Sequence, residues 1–295
     1  MEWTESLKTA VAYMEAHITE NFCADDVAEK IHMSTFYFQK GFAILTGMNV
    51  GEYIRNRRLY LAALDLTAGR EKMIDIAYKY GYETPESFSK AFRRFHGCTP
   101  SQAKNDTSKI KVFLPLRIHI EIKGGNDMDF TVEKVEAFKV IGFQREFSMD
   151  SSYREIPKFW DAFANQYLIR LFESGPKDAV DKAICDNMVG EYGVCIDDIG
   201  GNGKFRYLIA GKYLGGGVPD GMTVFKFPNM NWAKFKAVGP CPGALQAVNT
   251  AIFKEWLPGN PDYEIAAGYN IEWYPRGNAD APDYESGIWV PVKHK

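Results

Sequence analysis

The stretch Met73–Pro100, MIDIAYKYGYETPESFSKAFRRFHGCTP, constrains this chain more than any other. It reads as a short helix, a tight turn and a second helix. Ile74, Ile76 and Ala77 give the first helix an apolar side, and Gly81 can take the positive φ that ends it. Thr84 is suited to cap the second helix and Pro85 to its first position. Phe88, Ala91, Phe92 and Phe95 then recur at helical spacing, which leaves Glu86, Ser87, Ser89, Lys90, Arg93 and Arg94 outside until Gly97 stops the helix. A short supporting helix, a turn and a helix with a polar, basic outer face is the plan of a helix-turn-helix. An ordinary helical hairpin with a solvated face shares that pattern, so the stretch needs context.

The context is a second unit of the same build upstream. Leu7, Val11, Met14 and Ile18 form an amphipathic opening helix, and Asp25 and Asp26 start the next one ahead of Val27, Ala28 and Ile31. Ser34 can cap a third helix that buries Phe38, Phe42 and Leu45, ends at Gly47, and shows Thr35, Phe36, Gln39 and Lys40 on its outer face. Between the two units, Val50–Ala68 reads as one long helix with Asn49 and Glu52 at capping-box spacing and Ile54, Leu61 and Leu64 as its inner stripe. A rigid connector of this kind sets two recognition helices in successive major grooves, roughly 34 Å apart. Gln39 and Lys40 suit adenine and guanine edges, whereas Lys90, Arg93, Arg94 and the group Arg55, Arg57 and Arg58 suit phosphates. Glu86 could accept from a cytosine amino group or exclude wrong sites.

A chain of 295 residues favours two domains, and a net charge of -3 means that any basic surface is local. The five cysteines are scattered with no CxxC pair, as expected of reduced thiols, and the five histidines have no ligand spacing. Glu2 and Glu5 with no apolar run do not read as a signal peptide, and no stretch has membrane-spanning length.

Positions 1–105 resemble the DNA-binding domain of AraC/XylS-type transcription regulators. GEYIRNRRLYLAALDL and IDIAYKYGYETPESFSKAFRRFHGCTPSQAK carry the resemblance. It implies that Thr35, Phe36, Gln39 and Lys40 form one base-reading surface and Pro85, Glu86, Ser87 and Lys90 a second, the latter more for position than for readout. Domain bounds of 1–107 for this region, 108–128 for a connector and 129–295 for a second domain follow. Ile110, Val112, Leu114, Ile118, Ile120 and Ile122 fall at even positions and read as a strand, with a turn at Gly124-Gly125.

The second half alternates strands with two clear helices, about Glu155–Phe172 and about Gly243–Trp256. Pro157 lies near the first turn of one, and Ile156, Trp160, Phe163, Tyr167 and Leu171 face inward on it. Strand-like segments follow each helix: Gly190–Asp197 and Phe205–Leu214, then Glu264–Tyr274 and Tyr284–Lys293. FKVIGF followed by YREIPKFWDAF parallels KFKAVG followed by GALQAVNTAIFKEW, which suggests a duplication with a cleft between two pseudo-symmetric sheet-helix halves. Tyr192, Tyr213, Trp232, Tyr269, Trp273 and Trp289 lie on strands and can either fill core or line that cleft. Glu272, between apolar neighbours, and Glu191 are candidates to attract a flat organic cation, or are exposed strand residues.

Residues 129–295 resemble the GyrI-like effector-binding domain through the W-x-x-F helix at Trp160, KFKAVGP, EWLP, YNIEWYP and IWVPVK. That family binds hydrophobic, often cationic compounds and commonly has a Glu just before the terminal I-W-x-P-V. Gly287 stands there instead, with Glu285 two residues earlier on the same strand face. The fold expected is therefore an all-α double helix-turn-helix domain followed by an α+β effector domain. The implied effector residues are Trp160, Tyr192, Trp232, Tyr269, Glu272, Trp273, Glu285 and Trp289. The expected partners are promoter DNA, a small aromatic or cationic ligand and RNA polymerase, in the cytoplasm, with no cofactor, metal or membrane. Two other readings stay open: a hydrolase in which a cleft glutamate activates water, and a module that binds a protein in the same cleft.

Overall fold

The computed structural model describes residues 3–118, 128–197 and 204–295. The chain forms two compact units, one of Met1–His32 with Thr46–Glu121, the other of Met33–Leu45 with Ile122–Lys295. Among the described residues no helix is long and apolar enough to cross a membrane.

The first unit contains α1 (Trp3–Ala16), α2 (Ala24–Lys30), α4 (Val50–Ala68), α5 (Met73–Lys79), α6 (Pro85–His96) and α7 (Pro100–Asn105). Local chemistry sets its boundaries. Asn49 Oδ1 accepts from Glu52 N–H at 2.7 Å to start α4, and Thr84 Oγ1 accepts from Ser87 N–H at 3.1 Å to start α6. Gly97 closes α6 at φ 78°, where other residues would be strained. Phe88, Phe92, Ile76, Ala77, Leu59, Ala62, Ala63 and Leu66 meet in one buried cluster.

Two readings of this unit need correction. The inner stripe of α4 is Tyr53, Arg57, Leu59, Ala62, Ala63 and Leu66, whereas Leu64 is 44% exposed. The stripe is rotated because a charged residue is buried in it, which hydrophobic periodicity does not count. Likewise Ile74 is exposed on α5 and only Ile76 and Ala77 point inward.

The segment expected to be a strand after Ile110 is not one. Thr107–Lys109 is a 3₁₀ turn, and residues 110–118 run without strand pairing. Lys111 N–H donates to His96 Nδ1 at 3.1 Å, and the Phe113 ring packs on Phe95 and Tyr53, so Phe113 faces the helices, Val112 and Leu114 face out, and Leu116 and Ile118 are half-buried beyond them. Ile120, Ile122 and Gly124-Gly125 lie outside the described residues.

The second unit is a nine-stranded, wholly antiparallel sheet with helices, joined by α3 (Thr35–Thr46). In chain order it runs β1 (Phe130–Val135), β2 (Phe138–Ser148), α8 (Met149–Phe163), α9 (Ile169–Ser174), α10 (Ala179–Asp186), β3 (Tyr192–Ile196), β4 (Lys204–Lys212), β5 (Thr223–Phe227), β6 (Met230–Val238), α11 (Gly243–Ala251), α12 (Leu257–Gly259), β7 (Tyr263–Ile265), β8 (Tyr269–Trp273) and β9 (Glu285–His294). The spatial order is β1-β6-β9-β8-β3-β4-β2-β5, with β7 on β9. Exchanging β1 with β5, β2 with β6, β3 with β8 and β4 with β9 reverses that order and leaves it otherwise unchanged. The topology is thus pseudo-two-fold, with its centre between β3 and β8. Each half's main helix also passes into a π-helical turn, Ala164–Leu168 in one and Ile252–Trp256 in the other.

The helix expected at about Glu155 begins six residues earlier, so Pro157 lies inside it and not in its first turn. The helix α10 has no counterpart among the sequence expectations. Asp178 caps it by accepting from Asp181 N–H at 2.8 Å, and the fully buried Asp181 pairs with Arg170.

Candidate effector site and DNA-facing residues

Register decides which strand residues can act together, because alternate side chains point to opposite faces. Glu272 on β8 lies across from Gly193 on β3, and Asn270 across from Cys195. Cys195 lies across from Tyr207 on β4, and Tyr207 across from Arg145 on β2. These residues share one face, the face on which the helices pack. The Trp160 ring nitrogen donates to the Tyr207 hydroxyl at 2.9 Å, Tyr167 stacks on Phe143 at 4.9 Å, and Trp256 packs on Phe235 at 4.9 Å.

Glu272 is the charged centre of this face. The hydroxyls of Tyr207 and Tyr274 both donate to its Oε2, at 3.0 and 3.1 Å, and the Tyr274 ring meets Trp160 edge-on at 5.4 Å. Burial first, and the adjoining Glu272 charge second, push both phenols well above their ordinary pKa, so they remain donors. Burial and the same carboxylate raise the Cys195 thiol, which stays protonated and unreactive.

The pleat separates the sequence-expected effector residues into two groups. Trp160 and Glu272 are together on the helix face. Tyr192, Trp232, Tyr269, Trp273 and Trp289 are on the other face, where they pack with Val194, Leu208, Phe227 and Ile271. Trp232 is completely buried there, with Phe227 at 5.5 Å and Trp289 at 6.3 Å. Burial raises the Tyr192 phenol to about 12. Glu191 accepts from the Trp273 ring nitrogen at 3.2 Å, and Tyr213 bonds the Gly216 carbonyl. Gly287 pairs with Trp273 on this second face, and Glu285 is exposed and ion-paired with Lys236. Neither of those two positions shares a face with Glu272.

The residues expected to meet DNA divide similarly. On α6, Glu86, Ser87, Lys90, Arg93 and Arg94 are exposed and Pro85 half-buried, over a floor of Phe88 and Phe92. On α4, Arg55 is exposed. Arg57, 4% exposed, instead grips Glu15 with Nε and Nη2 at 2.8 and 2.6 Å and donates to the Phe113 carbonyl. Arg58 donates to the carbonyls of Ile18 and Glu20 at 2.7 and 2.6 Å. On α3 the face expected to point outward points inward: Phe36, Gln39 and Lys40 are buried and Thr35 half-buried. Sequence spacing located the helix, but a residue type does not reveal which surface a helix is lying on.

Among the described residues no His, Cys, Asp and Glu group is placed to hold a metal ion, and all five cysteines are free thiols.

Two stretches of the chain match known families. Residues 131–292 match the family described as integron-associated effector binding protein, and residues 27–106 match a helix-turn-helix domain family. The regulatory protein SoxS of Salmonella typhimurium is 36% identical over 105 residues, 36% of this chain and 98% of that protein. The transcriptional activator AarP of Providencia stuartii is 35% identical over 91 residues, 31% of this chain and 67% of that protein. A solved structure of a protein bound to tetraphenylphosphonium matches 56% of this chain and 94% of its own at 20% identity and a TM-score of 0.46. Both of these relatives are named as transcription regulators. The chain belongs to the integron-associated effector binding protein family and carries, ahead of that domain, the helix-turn-helix region of an AraC/XylS-type DNA-binding regulator.

Proposed function

We propose that this regulator answers to a small aromatic cation bound on the helix face of its sheet, with Glu272 as the counter-charge. The observation that carries the reading is the Glu272 carboxylate, set mid-sheet with two phenols converging on one oxygen and the Trp160 and Tyr274 rings beside it. A carboxylate so placed favours a positive guest, and ring faces add to the attraction. Rings on this face already meet cations within the protein, since the Arg145 guanidinium lies 4.5 Å from the Phe159 centroid.

On the DNA side, Lys90, Arg93, Arg94 and Arg55 would contact phosphates and Pro85, Glu86 and Ser87 would lie at the base edges, with Thr35, Phe36, Gln39 and Lys40 as the second reading surface. The experiment is calorimetric titration of the full chain with tetraphenylphosphonium and with neutral triphenylphosphine oxide. Glu272→Gln should weaken the cation by about tenfold and leave the neutral compound nearly unchanged. Equal cation affinity in wild type and variant would sink the assignment.

A further inference from the structure

The helix that carries Gln39 and Lys40 is held on the effector sheet by specific bonds. Asp197, just past β3, accepts from the Phe36 amide at 2.9 Å and so caps α3. The Tyr37 hydroxyl donates to the Tyr269 carbonyl, and Lys40 Nζ donates to Asn270 Oδ1 at 3.1 Å. Asn270 is two residues from Glu272 on the same strand face, about 7 Å along β8. The Lys40 ammonium also lies 5.4 Å from the Phe36 centroid, and that ring packs on Phe205 at 5.2 Å. Chemically, α3 presents an aromatic ring with a cation over it to the strip beside Glu272.

One side chain gains nothing from this arrangement. Gln39 is 7% exposed and its amide nitrogen has no acceptor among the described residues. A buried donor without an acceptor weakens the state that contains it. Glutamine makes chemical sense at this position in another state, where a bidentate amide can meet an adenine edge.

We propose that α3 is a built-in competitor for the effector site. Docked, it withholds Phe36, Gln39 and Lys40 from DNA. Displaced by an aromatic cation beside Glu272, it offers them to the major groove. The identity of the guest rests on the function proposed above, whereas the masking of α3 does not.

The test uses the full chain and a duplex selected by it from a random pool. Asp197→Ala and, separately, Tyr37→Phe each delete one docking bond without touching a residue assigned to DNA or effector. Each should speed amide hydrogen exchange across residues 35–46 and tighten duplex binding several-fold with no ligand present. Unchanged exchange in that segment, or duplex affinity unchanged or weakened while thermal melting is preserved, would overturn the masking. Saturating tetraphenylphosphonium should speed the same exchange in wild type and tighten duplex binding. Binding of that cation with residues 35–46 still protected would overturn the competition. Failure of the cation to bind at all would refute the guest alone, and the two variants would still decide the masking.

Discussion

Gly193 lies directly across the β3–β8 ladder from Glu272, and a Cβ placed on it would come within 2.2 Å of the Tyr207 hydroxyl and 2.9 Å of Glu272 Oε2. The hydroxyl cannot yield easily, because Trp160 donates to it and Tyr207 is buried. The missing side chain is what lets the phenol and the carboxylate meet. Gly193→Ala should therefore cost about 2 kcal/mol of unfolding free energy by urea titration and weaken cation binding as the Tyr207–Glu272 bond is forced apart.

Arg57 braces the helical unit, whereas Arg94 is proposed to contact DNA. Arg57→Ala would leave Glu15 facing a partly buried site with no counter-charge, and the helical unit should lose roughly 3 kcal/mol by chemical denaturation. Retention of wild-type stability would show that the bidentate pair is dispensable.

Arg94→Ala should leave stability within about 0.5 kcal/mol, because the residue is exposed on α6. Its effect should appear in DNA binding, weaker across sequences, with the slope of log affinity against log salt reduced by about one. A change in sequence preference without a change in salt slope would reassign Arg94 to base readout.

His96 supplies a pH dependence. Its Nδ1 accepts from Lys111 N–H, so Nε2 carries the proton and donates to the Leu59 carbonyl at 3.1 Å. Burial, with the Lys111 charge as a lesser cause, lowers its pKa below the ordinary 6.5. The folded state thus holds the neutral ring, and the unfolded chain binds the proton more readily. The contribution is complete above about pH 6.5 and is lost as pH falls from there toward the lowered folded value. Urea titrations between pH 7 and 5 should show falling stability, with a shallower slope in His96→Gln.

Thr84→Ala should cost about 1 kcal/mol, since the Ser87 amide loses its cap. Circular dichroism melting of the full chain, followed at the helical signal, would register it as a lowered midpoint.

Where a feature depended on neighbours in sequence, the residues announced it. Thr84, Pro85 and Gly97 fix the ends of α6, and Asn49 fixes the start of α4, because caps and turns are decided within four residues. Most strands of the second unit and its duplication were also readable, since short apolar and aromatic runs bounded by turn residues mark strands even where both faces are buried, as in Tyr192–Ile196. What failed depended on distant partners. Arg57 counts as polar in any pattern, yet Glu15, far along the chain, makes it core. The residues around Phe113 alternate like a strand but lie along helices, because side-chain alternation marks a half-buried extended segment whether or not a ladder forms. The aromatic residues were found as a group, but only register shows that Trp160 and Glu272 face one way and Trp232 and Trp289 the other.

The interleaved strand order also bears on how this domain is made. Strand β1 is synthesised first of the nine, but its partner β6 follows about a hundred residues later, so β1 must wait. Strand β9, synthesised last, is an interior strand that alone bridges the β1–β6 pair to β8 and the remainder. Until it leaves the ribosome no ladder joins the β1–β6 pair, the five strands from β8 to β5 and the lone β7, and such long-range closure makes for slow folding. Loss of that final strand would cut the β1–β6 pair from the rest of the sheet and not merely trim its rim.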